Sequence, residues 1–449
     1  MRPRAQEGTP RGVTSTDQAN DTSGDVRGLP ARAAALDLLT AALSRRAGLD
    51  EGLNHPSMGA LEPRDRAFAR ALAMATLRWL GPIDAALQAR LKKPPPERIV
   101  NVLRLGAAQL LVLKTPAHAA VGATVDLAAA QKGGQAFKGL VNAVLRGLTR
   151  EPPPLDDPGL MAPTWLAMRW RSAYGPEAAE AIAALIGAEP ATDVTPQDAA
   201  EAEALAGELE GRALAGGSVR AGLTGEVSGW PGFDDGRWWV QDASAAIPAR
   251  LAGVGAGQTA LDMCAAPGGK TLQLAAAGAK VTAVDRSAGR IKRVSENLAR
   301  TGLGAEVVVA DASEWKDERT FDAVLLDAPC SATGTFRRHP DLLWVASPAE
   351  IPKLAAVQAR LLDSAAKRTK PGGRLIYCVC SLEWEEGEGQ MDAFLARHKD
   401  FALEPMAPGE GGAAEASLRP DGTLRILPHH VEGGTDGFYV ARLRKLTSS

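Results

Sequence analysis

Leu261-Asp-Met-Cys-Ala-Ala-Pro-Gly-Gly-Lys270 is the stretch whose reading decides the fold. The apolar run at 259–263 predicts a buried parallel strand. Pro267, Gly268 and Gly269 then break the chain, and a helical pattern follows from Lys270 to Ala277. Strand, glycine turn and helix start together form a ligand cradle. Glycine lets backbone approach a ligand closely, and the first N–H groups of a helix point outward without intrahelical partners. Asp285 closes the next apolar run, 281–284. An acid at the end of the second strand, about twenty residues past the turn, suits a ribose diol. The glycines do not spell G-x-G-x-x-G, which argues against a dinucleotide, and an ordinary strand–turn–helix corner would produce the same local pattern.

Two later stretches favour the ligand site. Phe321-Asp-Ala-Val-Leu-Leu-Asp-Ala-Pro-Cys-Ser-Ala-Thr-Gly334 and Leu375-Ile-Tyr-Cys-Val-Cys-Ser-Leu382 are apolar strands that each run into an acid or a cysteine. In open α/β sheets, ligands bind beyond the carboxyl ends of the strands, so Asp262, Asp285, Asp327, Cys330 and Cys380 should converge on one crevice. Strands alternate with helices from residue 236 onward, which predicts an α/β domain with a parallel sheet. Within it, 307–310 reads as a strand ending at Asp311, and 351–370 as a helix stopped by Pro371-Gly-Gly373. Residues 423–427 and 438–442 read as a hairpin-like finish to the sheet.

Composition narrows the function classes. A chain with 45% hydrophobic and 23% charged residues fits a soluble globular protein of two or three domains. No apolar run reaches the roughly 20 residues that span a bilayer, so no membrane association is expected. The first 28 residues are polar and carry no signal-peptide core, which predicts a cytoplasmic location. The cysteines, Cys264, Cys330, Cys378 and Cys380, all fall in the α/β region, unlike a secreted disulfide framework. A C-x-C pair without a nearby histidine is poor zinc spacing, so no metal is expected. The net charge of −2 hides an asymmetry. Residues 29–150 hold 17 basic against 8 acidic residues, net +9, whereas 151–235 hold 4 against 15, net −11. A basic module beside a neutral α/β region suggests a polyanionic partner, although a solvated basic surface gives the same count.

Taken in order, residues 1–28 lack periodic apolar positions and predict a disordered tail. Residues 29–150 are helical throughout, with apolar residues at helical spacing in Val100-Asn-Val-Leu-Arg-Leu-Gly-Ala-Ala-Gln-Leu-Leu-Val-Leu113 and punctuation at Pro94-Pro-Pro96 and Thr115-Pro116. Residues 151–158 are a linker by composition, 159–235 a small subdomain, and 236–449 the α/β domain. In the subdomain, 165–174 reads as a helix whose Trp165, Met168 and Trp170 pack inward, and 196–211 as a second helix.

The motifs Asp262-Met-Cys-Ala-Ala-Pro-Gly-Gly-Lys270, Asp327-Ala-Pro-Cys-Ser-Ala-Thr-Gly334, His339-Pro-Asp341, Cys380-Ser381 and Gly434-Thr-Asp-Gly-Phe-Tyr439 resemble those of the bacterial Sun/RsmB family of RNA cytosine-C5 methyltransferases. The resemblance covers the chain from about residue 29 onward. It implies a Rossmann-like S-adenosylmethionine-dependent methyltransferase domain with a seven-stranded, mostly parallel sheet. An all-α NusB-like RNA-binding domain and a small α+β subdomain would precede it. In the helical domain Lys138, Arg146 and Arg150 are candidate RNA contacts.

Cytosine C5 is a poor nucleophile. A thiolate must first add to C6, helped by a proton at N3, and a base must later remove the C5 proton. Cys380, Asp327 and Cys330 can supply these groups. The resemblance makes Cys380 the nucleophile and Cys330 the residue of product release. It also implies that Cys264, Ala265, Ala266, Pro267, Gly268, Gly269 and Lys270 wrap the methionine end of S-adenosylmethionine, with Asp285 on the ribose, Asp311 towards the adenine, and Asp327 nearby. Lys270 could instead orient Asp327. Cys378 stands where the family usually lacks cysteine and reads as packing. His339 and Asp341 read equally well as loop-ordering residues. The segment Ala191-Thr-Asp-Val-Thr-Pro196 departs from the family's usual basic pattern, which puts an RNA contact by the subdomain in doubt. The expected partner is RNA, above all small-subunit ribosomal RNA, and the expected state a monomer. Transfer RNA is the alternative substrate. A non-catalytic NusB-like RNA-binding or antitermination factor is the alternative class, against which both motif cysteines argue.

Overall fold

The computed structural model describes residues 28–44, 49, 52 and 55–447. The tail expected over 1–28 lies outside the described residues but for Gly28. Six longer helices follow, α1 (Leu29–Ser44), α2 (Pro63–Arg78), α3 (Leu80–Gln88), α4 (Glu97–Leu111), α5 (Ala117–Ala130) and α6 (Lys138–Arg150). Their apolar stripes meet in one core containing Leu36, Leu39, Leu72, Leu77, Val102, Leu103 and Leu145. Prolines set the starts: Pro63 is in the first turn of α2, and Pro96 and Pro116 are the N-caps of α4 and α5. A proline lacks the N–H that a preceding helix would need, so each of these positions is a boundary.

Next in the chain come helices α7 (Thr164–Tyr174) and α8 (Pro176–Ala184), whose core is shared with Phe336, Leu343, Leu382 and Leu427, and then a small antiparallel sheet. Its strands are β1 (Asp193–Pro196), β2 (Arg212–Ala213), β3 (Val219–Arg220) and β4 (Trp238–Val240), in the order β2-β3-β1-β4, covered by α9 (Ala202–Glu208). Three expectations change here. The helix read over 196–211 is only α9, because 193–196 pairs as β1 and the Asp198 side chain caps Ala200 N at 2.9 Å in a separate turn. Residues 238–240, read as the start of the catalytic domain, complete this sheet. Met168 does not pack: it is 66% exposed, since the 3.6-residue period that buries Leu166 and Trp170 turns it to the opposite face.

The catalytic unit holds α10 (Ala243–Ala252), β5 (Thr259–Met263), α11 (Gly269–Ala276), β6 (Lys280–Asp285), α12 (Ala288–Thr301), β7 (Glu306–Val309), β8 (Phe321–Asp327), α13 (Asp341–Val345), α14 (Ile351–Arg368), β9 (Thr369–Val379), α15 (Glu388–Arg397), β10 (Phe401–Leu403), β11 (Leu424–Ile426) and β12 (Phe438–Lys445). The sheet runs β10-β12-β9-β8-β5-β6-β7, with β7, β6, β5, β8 and β9 mutually parallel. β12 runs antiparallel to β9, β10 and β11, so an eighth short strand joins the expected seven. The chain winds outward from β5 to β7 and then restarts at β8 on the other side of β5. That reversal opens the crevice in which open α/β sheets bind ligands. The helix expected over 351–370 ends at Arg368. Pro371-Gly-Gly373 lies inside β9, at the register irregularity opposite Phe321–Ala323 that accommodates the missing proline N–H.

The N-terminal helices dock on α13: Trp344 Nε1 donates to Leu77 O at 2.9 Å, and Leu49 N donates to the buried Asp341 Oδ2 at 3.1 Å. Asp341 thus ties two units of the chain together. Among the described residues no helix is long and apolar enough to cross a membrane.

Candidate active site

The turn after β5 lies across the end of β6. Ala265 N donates to Val284 O at 3.1 Å and Ala266 N to Asp285 Oδ2 at 3.1 Å. Asp285 also accepts Ser287 N at 2.9 Å, so this buried carboxylate orders the turn and the start of the next helix together. Cys264 takes φ +63° and Gly268 φ +110°, and a Cβ on Gly268 would sit 3.3 Å from Val294. The amides of Gly269, Lys270 and Thr271 occupy the first turn of α11, where intrahelical acceptors are lacking. Asp311, just beyond β7, is exposed and accepts Ser313 Oγ at 2.6 Å and Ser313 N at 2.9 Å, bonds that hold its carboxyl below the usual range.

Asp262 is fully buried near the end of β5, on the strand that feeds the turn. Its Oδ2 accepts Thr271 Oγ1 at 2.6 Å, and Oδ1 has no hydrogen-bond partner among the described residues. Burial pushes this carboxyl up to about 7.

The cysteines come from the neighbouring parallel strands β8 and β9, with Asp327 opposite Cys378. Beyond the strands the loops stay joined, Ala328 N donating to Cys378 O and Gly334 N to Cys380 O, each at 3.0 Å. The result is a Cys330 Sγ–Cys380 Sγ separation of 3.5 Å. The contact with Cys380, followed by burial, pushes the Cys330 thiol well up. Lys270 Nζ donates to Asp327 Oδ2 at 2.7 Å, so the lysine of the turn reaches across to the second motif. Burial opposes the Lys270 charge, but Asp327, Cys378 and Asp262 together outweigh it and the net direction is upward. Cys378 is buried, and its Sγ donates to Asp327 Oδ1 at 3.5 Å; besides packing, it touches the candidate acid. Burial and the nearby acids push the Cys264 thiol up to about 12, which suits a structural residue.

The closing motif is also explained. Gly437 N donates to Gly334 O at 2.8 Å, and a Cβ on Gly334 would lie 2.2 Å from Gly437 O. Asp436, fully buried, accepts Arg338 Nε at 2.8 Å, and Thr435 Oγ1 donates to Asp242 Oδ1 at 2.9 Å. Sequence reasoning missed Glu386, which is buried and bonded to both cysteine loops through Ser331 and Ser381. Its only signal was an acid run, Glu383-Trp-Glu-Glu386, that reads as solvated surface. Among the described residues no group of three or more His, Cys, Asp or Glu is placed to hold a metal ion.

A family described as 16S rRNA methyltransferase RsmB/F matches residues 252–444, and the NusB family matches residues 29–150. Ribosomal RNA small subunit methyltransferase B of Pseudomonas putida is 39% identical over 443 residues, covering 93% of this chain and 99% of that protein. The chain belongs to the RsmB/F methyltransferase family. A second RsmB/F relative, the same-named protein of Sodalis glossinidius, is 37% identical over 89% of this chain and 96% of its own length. Among solved structures, PH0851 matches with a TM-score of 0.76 at 24% identity, over 93% of this chain and 98% of its own. NSun6 from Pyrococcus horikoshii, solved with SFG, matches with a TM-score of 0.53 at 22% identity, over 64% of this chain and 99% of its own. Both share the fold of the RsmB/F chain.

Proposed function

We propose that this chain transfers the methyl group of S-adenosylmethionine to C5 of a cytosine in small-subunit ribosomal RNA, through a covalent bond between Cys380 and C6. The observation that carries the reading is the pair of cysteine sulfurs 3.5 Å apart at the ends of adjacent parallel strands, beside Asp327. The cradle fits the cofactor. It combines close backbone at Gly268, helix-start amides for a carboxylate, acids at the ends of β6 and β7, and an unpartnered buried oxygen on Asp262. Residues 264–270 would hold the methionine end, with Asp285 and Asp311 towards the nucleoside and Asp327 beside the sulfur. When bound, the cofactor supplies an electrophilic methyl group on a sulfonium.

The chain's own residues do the rest. The two sulfurs, 3.5 Å apart, share one proton, and the reading gives that proton to Cys330 and the attack on C6 to Cys380. As the Cys380–C6 bond forms, a proton from the Lys270–Asp327 pair moves to N3, and C5 gains the electron density that methyl transfer needs. Once Cys380 is bonded to C6, it no longer competes with Cys330 for a proton. Cys330 then gives its proton to water and, as a thiolate, takes the C5 proton, so one proton leaves for each methyl group added. The Cys380–C6 bond breaks, sulfur leaves as thiolate, and the N3 proton returns to the pair. We read the enzyme as a cytoplasmic monomer. The test is labelled methyl transfer by the full chain to naked small-subunit RNA, assembled small subunits and transfer RNA in parallel. Label at cytosine C5 of ribosomal RNA supports the reading, and label confined to transfer RNA, or none, refutes it.

A further inference from the structure

Glu386 closes a single helical turn, Trp384–Glu386, six residues past Cys380, and is fully buried. Its carboxylate gathers four donors. Oε1 accepts Ser331 N at 2.9 Å and Gln358 Nε2 at 3.0 Å, while Oε2 accepts Ser381 Oγ at 2.6 Å and a short bond from Ser331 Oγ. Four donors fill the acceptor capacity of a carboxylate. Ser331 directly follows Cys330, and Ser381 directly follows Cys380. Gln358 extends the brace, because Nε2 also donates at 3.0 Å to the carbonyl of Pro329, the residue before Cys330. The Tyr377 hydroxyl fixes the backbone of Glu386 itself, donating to its carbonyl at 2.6 Å. The cysteine loops lie past the ends of β8 and β9, so the regular ladder no longer sets their spacing.

We infer that Glu386 is a positioning residue: acting through Ser331 and Ser381, it sets the separation of the Cys330 and Cys380 sulfurs. The inference deepens the function proposed above and rests on it for the catalytic meaning of that separation. Glutamine in place of Glu386 keeps the shape but loses the charge and one accepting oxygen, so the bonds to both loops weaken, and an amide NH2 set against Ser331 N and Gln358 Nε2 meets donors only. Aspartate is one methylene shorter and reaches one loop only.

The separation is read directly with phenylarsine oxide, whose arsenic bonds to two neighbouring thiols as its oxygen leaves with their two protons as water. In the full chain, one equivalent should be chelated, and Cys330→Ala should abolish the chelate. Glu386→Gln should weaken chelation by about tenfold, because the second thiol is presented at lower effective concentration. The same variant should lower kcat for methyl transfer by roughly a hundredfold, as small misplacements of reacting groups do. KM for RNA and the cofactor Kd should stay within about twofold, since uniform binding is untouched. Ser381→Ala should move both readouts in the same direction, and it carries the test if Glu386→Gln does not fold. Unchanged chelation in a folded variant overturns the inference, whether or not kcat falls, as does a wild-type chain that forms no chelate. The arsenical arm needs no RNA, so a chain that chelates as described yet methylates no RNA refutes the proposed function and leaves the brace standing.

Discussion

Asp262 is held in a setting that opposes its charge. It is fully buried, bonded through one oxygen to Thr271, and pushed up from 3.8 to about 7 by loss of solvent. A carboxyl whose folded pKa lies above its unfolded value adds stability that is complete below about pH 4 and is lost as pH rises through 7. Asp262→Asn removes that titration while keeping the shape. Relative to wild type, the variant should therefore gain stability between pH 5 and pH 8, on the order of 2–4 kcal/mol. Denaturant unfolding at the two pH values checks this, and a difference that does not change with pH would show that Asp262 does not titrate in that window. The residues most legible in the sequence were those that chemistry confines to a motif. Cys330, Cys380 and Asp327 lie side by side because β8 and β9 are parallel neighbours. Glu386 was not legible, because its burial depends on α14 supplying Gln358 and on the loop after β8 supplying Ser331.

At the scale of elements, apolar runs gave the strands and helical periodicity gave the bundle. The errors fall where a local signal competes with pairing. Residues 196–211 are rich in helix formers, yet Pro196 closes a strand held by Trp238 and Val219 from distant parts of the chain. Pro371-Gly-Gly373 reads as a helix stop, and the helix does stop before it. The same residues nevertheless fall within β9, as the unpaired bulge between Thr369 and Arg374, because Arg374 to Cys378 is locked between β8 and β12. Trp238 to Val240 reads as an entry to the catalytic sheet but joins the small one, with the Trp238 side chain packed against Phe233 and Trp230. Strand identity was thus legible, whereas sheet membership depends on contacts that no window of sequence contains.

At the scale of the molecule, the basic helical unit and the catalytic unit meet at α13, through Trp344 and Asp341. Lys138, Arg146 and Arg150 are exposed on α6, so the net charge of +9 has solvent-facing members free to meet phosphates. Replacing all three by Gln should weaken ribosomal RNA binding and reduce the salt slope by up to about 2, at roughly 0.7 per lost phosphate contact. Cofactor affinity should not move. Filter binding across a salt series checks this, and an unchanged slope would place the RNA elsewhere. The central claim concerns the division of labour between the two sulfurs, and it is tested most directly by a denaturing gel of Cys330→Ala and Cys380→Ala incubated with RNA and S-adenosylmethionine. With Cys330 gone, attack and methyl transfer proceed but the C5 proton stays, so the account predicts an RNA-dependent, cofactor-dependent band of reduced mobility that nuclease removes. With Cys380 gone, it predicts neither band nor methylation. A band from Cys380→Ala and none from Cys330→Ala would contradict the account and make Cys330 the nucleophile.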